Sequence, residues 1–152
     1  MVLILFMAGC QKNGDIQNPT WQQVGAAFKD VAWEFPHEGS PLFLNSFEGL
    51  KDNEKILLVR LSDSQLIVWL ESAGLSVKDL QIHKVEERDL MTNRPPWFQL
   101  KIGEEIRIVK NIQQIPSKIN KEKYPWLPLQ WWVRNNLENN YEMGVLLHQN
   151  YD

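Results

Sequence analysis

The chain has 152 residues and a mass of 17.8 kDa, which suits one domain and leaves little room for a second. Hydrophobic residues make up 43% and charged residues 23%, a composition that folds rather than one that stays disordered. The formal net charge of −3 argues against nucleic acid as a partner, because phosphate binding calls for a basic face, and it gives no general pull toward anionic lipid.

Residues 1–10 read Met-Val-Leu-Ile-Leu-Phe-Met-Ala-Gly-Cys, with no polar side chain from Val2 to Gly9. A bilayer-crossing helix needs about 20 apolar residues, so this run is too short to span. Its length suits the apolar region of a secretory signal, roughly 7–15 residues. Met7-Ala8-Gly9-Cys10 resembles the lipobox of bacterial lipoproteins. In that family small residues precede a cysteine whose thiol is acylated and which becomes the new N-terminus. Ala8 and Gly9 match the small positions and Cys10 the modified residue, while Met7 stands where Leu is usual. No Lys or Arg precedes the apolar run, so the true start is expected upstream.

The resemblance covers ten residues and implies nothing about the fold of the rest. It implies that residues 1–9 are a signal peptide, that Cys10 carries lipid, and that the protein is held on a membrane of the cell envelope, outside the cytoplasm. Cys10 is the sole cysteine, so lipid would consume the one thiol and no disulfide can form. Gln11 to Pro19 is polar, which makes 10–19 a lipidated tether and 20–152 the globular domain. The competing reading is a buried N-terminal strand ending in a core cysteine.

Within the domain, Thr20 with Gln23 forms a capping-box pattern that opens a helix over 20–35. Trp21, Val24, Phe28, Val31 and Phe35 fall on one helical face, and Pro36 ends it. Lys55 to Leu61 reads as a buried strand. Ser62 with Gln65 caps a second helix through Leu66, Leu70 and Ala73, ended by Gly74, with a strand over 66–70 as the alternative. Leu80 to Glu87 reads as a half-exposed strand.

Residues 97–110 alternate as a hairpin, with Leu100, Ile102, Ile106 and Ile108 on its buried face and Lys101 and Arg107 outside. Leu129, Trp132, Val133 and Leu137 sketch a third helix, and Met143 to His148 a closing strand. The expected fold is therefore α+β: a single domain with a mainly antiparallel sheet and about three helices.

Catalytic signatures are absent from the sequence. His37, His83 and His148 are isolated from one another, and the only thiol is assigned to lipid, so neither metal nor cofactor is expected. Glu86 and Glu87 point to opposite faces of a strand, and Glu104-Glu105 sit in a turn. Gly39-Ser40-Pro41 lacks the strand–turn–helix setting of a nucleophile elbow, and no phosphate-cradling glycine loop occurs. Lys118, Lys121 and Lys123 are interrupted by Glu122 and read as a solvated loop, so no nucleic acid is expected.

The aromatics remain. Trp97, Trp126 and Trp131 fall off the apolar stripes and are the partner-binding candidates, since exposed Trp is a common interface anchor. The bland alternative packs them, with Trp33, beneath the proline-rich loops. The functional expectation is a lipid-anchored binding module for an envelope protein or peptide, in an immunity, exclusion or assembly role. The alternative is an envelope enzyme such as a cell-wall hydrolase, with a site gathered from dispersed residues that include His37 and Glu38.

Overall fold

The computed structural model describes residues 12–31, 33–48, 52–90, 100–109, 126–135 and 140–150. In chain order these form β1 (Lys12–Gln17), α1 (Trp21–Ala27), β2 (Ser40–Glu48), β3 (Asp52–Leu61), α2 (Asp63–Ser72), β4 (Leu80–Lys84), β5 (Glu105–Val109), β6 (Leu127–Asn135) and β7 (Tyr141–Asn150). The seven strands make one sheet in the order β1-β2-β3-β7-β6-β5-β4, with every neighbouring pair antiparallel. The architecture is α+β but more sheet-dominated than expected, with two α-helices among the described residues rather than three.

The inner strand β3 shows why the sheet is buried on both sides. Leu57, Val59 and Leu61 face one way and Ile56 and Leu58 the other, and all five are buried. On the first face α1, α2 and the 31–35 segment pack through Val24, Phe28, Trp33, Leu66 and Trp69. On the second, Phe43, Ile56, Leu58, Trp132 and Leu146 meet Val85 and Leu100 from the connections beyond β4.

Both capping boxes form. The Thr20 side chain accepts from the Gln23 amide and Ser62 from the Gln65 amide, each Gln side chain accepting in return from the cap's own amide. The second helix forms as expected, and Gly74 follows it with φ +76. The first is shorter than its apolar stripe, ending at Ala27 instead of running to residue 35.

Lys55 supplies a physical reason. Its buried ammonium donates to the Ala27 carbonyl and pairs with Asp30 at 3.0 Å, satisfying one of the orphan acceptors that a helix end leaves. Val24, Phe28 and Val31 still reach the core, the last two through turns rather than a continuing helix.

Three other expectations are corrected. The 10–19 segment is not all tether, because Lys12–Gln17 form the edge strand β1, paired with Phe43–Glu48 of β2. The helix expected through Leu129 to Leu137 is not formed by its described residues: 127–135 form β6, paired along β7. Consecutive Trp131 and Trp132 then project to opposite faces and both find a core, which a helix would deny one of them. Finally, β5 pairs with β4 and β6, not with a strand at 98–102.

The apolar set of that proposed hairpin is three-quarters right. Leu100 and Ile106 are buried and Ile108 is half-buried, but Ile102 is 66% exposed. It sits at the corner of a tight turn over 101–104, in which the Glu104 amide donates to the Lys101 carbonyl and Gly103 has φ +88. That positive φ favours glycine, and the turn leaves Ile102 outside the buried face.

Candidate functional site: the cleft between β5 and β6

β5 and β6 are paired only at Arg107–Val133 and Ile108–Trp132. Beyond them β5 stays with β4, through His83–Ile106 and Lys84–Glu105. β6 stays with β7, through Arg134–Glu142 and Asn135–Tyr141. The two parts of the sheet diverge at this end, and a cleft of about 280 Å³ lies between them.

Its edge is fixed by one arginine. Arg134 Nη2 donates to Glu104 at 3.1 Å and Nη1 to Glu142 at 3.5 Å, so a single guanidinium ties the 101–104 turn to β7. The turn is also held from behind. The Val85 amide donates to the Glu104 carbonyl, and the Gly103 amide to the Val85 carbonyl. Glu104 and Arg134 therefore neutralise each other as parts of the frame.

The walls are chemically mixed. Ile82, 74% exposed, and buried Val133 are apolar, while Glu105, Arg107 and Asn135 bring polar groups. Arg107 is half-buried, with its guanidinium 5.2 Å from the Tyr141 ring centroid. The Tyr141 hydroxyl donates to Asp63 and accepts from Arg107. The Asp63 bond, helped by burial, pushes the phenol above its usual range, and Arg107 offsets part of that rise. Asp63 lies in the first turn of α2, where the helix dipole favours a carboxylate.

Among the described residues, no carboxylate lies within 4.0 Å of the Arg107 guanidinium. A cation held on a tyrosine face and short of a counter-charge can receive a carboxylate or a peptide carbonyl. Beside it, β4 is the last strand of the sheet, and among the described residues nothing pairs its outer edge. An open edge with an exposed apolar side chain is the geometry to which an extended segment adds.

Two of the three tryptophan candidates, Trp126 and Trp131, are core residues. Trp126 is 4% exposed and its indole donates to Asp30 at 3.2 Å, with the Lys55 ammonium 4.6 Å from the ring centroid. Trp131 is 1% exposed and packs on Trp33 at 5.3 Å. Both belong to the helix-side core rather than to an exposed anchor surface, and Trp97, Cys10 and residues 110–125 lie outside the described residues.

His37 stacks on Trp21 at 5.4 Å, and the Glu38 carbonyl accepts from the Trp69 indole at 2.9 Å. These contacts place the pair at the rim of an aromatic cluster. A second acid–base pair, His83 with Asp89 at 2.8 Å, went unnoticed in the sequence. Burial raises the Asp89 carboxyl, but bonds from the Glu86 amide and His83 outweigh it and hold the group below its usual range. Among the described residues, no three His, Cys, Asp or Glu side chains gather to hold a metal, and no helix is long and apolar enough to cross a membrane.

Sequence reading missed the cleft because Arg107 looked like an ordinary outward residue of a hairpin. The available signal was Ile82, an apolar side chain in an otherwise polar stretch of β4. Comparison with known proteins yields no match to any family model, curated protein or solved structure.

Proposed function

We propose that the protein is a lipid-anchored domain of the bacterial cell envelope that binds an envelope protein or peptide along β4 and the cleft beside it, without catalysing a reaction. The observation that carries the binding half is Arg107, a half-buried cation on Tyr141 with no carboxylate at ion-pair distance among the described residues, next to a strand edge that no described residue pairs and that bears exposed Ile82. The anchoring half is supported by the apolar octet and by Ala8-Gly9-Cys10.

The test has two arms. In fractionated bacterial cells the wild-type chain should be found with membranes and Cys10→Ser in the soluble fraction; equal partition would refute anchorage. A partner isolated by cross-linking should then bind Arg107→Ala at least about tenfold more weakly than wild type, the range expected when one side of a buried charged contact is removed. Unchanged affinity with an intact fold would remove the cleft from the account.

A further inference from the structure

We infer that the lipid surface meets the end of the sheet where β1 begins, so that the β5–β6 cleft faces away from the membrane. The inference rests on acylation of Cys10 and concerns what the register then requires. Only Gln11 separates Cys10 from the start of β1. Two residues span at most about 7 Å of extended chain, roughly one and a half strand spacings and far short of the width of a seven-stranded sheet, so the tether keeps the β1 corner at the lipid.

The rows of the ladder show what is brought to the lipid. Lys12 pairs with Glu48, and Glu48 with Asn53. Asp52 and Asn53 pair with Asn150 and Gln149 of β7. That row is one end of the sheet. At the opposite end of the same ladder Leu61 pairs with Tyr141, and Tyr141 with Asn135 at the cleft. Asn53 and Leu61 are separated by about 27 Å along β3 at the usual rise of a strand.

Distance across the sheet adds to this. β1 is one edge of the seven strands, and the cleft lies among the last three at the other. Anchor and cleft therefore occupy diagonally opposite corners. The covalent reach sets the orientation. A partner approaching from the aqueous side meets β4 and Arg107 without displacing the domain from its lipid.

The experiment uses full-length protein purified from bacterial membranes and placed in vesicles of phosphatidylethanolamine and phosphatidylglycerol doped with a nickel-chelating lipid. With Cys10 acylated, a cysteine introduced as Glu48→Cys or as Lys84→Cys is the only free thiol and takes a nitroxide label. Both positions are exposed and lie at opposite corners. Relaxation by lipid-bound nickel should be several-fold stronger at position 48 than at position 84. Equal or reversed relaxation in acylated protein overturns the orientation and leaves anchorage standing. An intact mass showing an unacylated Cys10 overturns both, and this measurement, made first on the same sample, separates the two failures.

Discussion

Gly144 shows how one missing atom places a large side chain. It pairs with Trp132 across β6 and β7, and the indole lies over the space a side chain would fill. A Cβ at position 144 would stand 2.1 Å from the Trp132 ring, deep in the second core, where the ring has no free direction to move. Gly144→Ala should lower stability by about 1–3 kcal/mol, the usual cost of overpacking, as read by urea unfolding. At the same scale, Asp89 links stability to acid pH. Its carboxyl is held below its usual range in the folded chain, so its contribution is complete at neutral pH. As pH falls below about 4 the unfolded chain takes up the proton first, and the contribution is lost through the lower folded value. The stability difference between wild type and Asp89→Asn should therefore be smaller at pH 3 than at pH 5. A difference that persists undiminished at pH 3 would contradict this.

At the scale of elements, Lys55 joins three pieces of chain. Its ammonium bonds the end of α1 and Asp30, while Trp126, at the entry to β6, stacks beneath it and donates to the same Asp30. In Lys55→Met the Ala27 carbonyl loses its donor, with an expected loss of about 1–3 kcal/mol in chemical denaturation. The cost stays below that of a fully buried broken pair because the Asp30 side chain is 49% exposed and can turn to water. This residue also marks the limit of what was legible beforehand. Capping boxes are local, so Thr20–Gln23 and Ser62–Gln65 announced both helix starts correctly. The end of α1 depends on a lysine 28 residues away, which no helical periodicity contains. β6 failed for the same kind of reason. Leu129, Trp132 and Val133 suit helical spacing, but β7 offers a complementary strand and two apolar cores, and tertiary pairing overrides the local pattern. Strands apolar on one run, such as β3 and β7, were recognisable because burial on both faces leaves little polar interruption.

For the whole molecule, the sheet divides the work. The middle strands β3 and β7 and the layers on either side provide the rigid body, with buried apolar groups on both faces. The two margins carry what faces outward: β1 follows the lipobox-like cysteine, and β4 with the β5–β6 cleft presents Ile82 and Arg107. The cleft was invisible in the sequence because it arises where a ladder stops, and register is a property of two strands rather than of either. Trp126 and Trp131, expected as aromatic anchors, are core residues, and the proposed contact surface consists instead of an apolar side chain and a cation at a strand edge. The most direct measurement is site-specific photo-cross-linking in intact bacteria, with a benzophenone-bearing residue placed at Ile82 or, for comparison, at exposed Ile67 on α2. The account predicts a discrete cross-linked adduct from position 82 that is lost when Arg107→Ala is added, and none from position 67. An adduct from position 67 alone, or one from position 82 that survives Arg107→Ala unchanged, would contradict it.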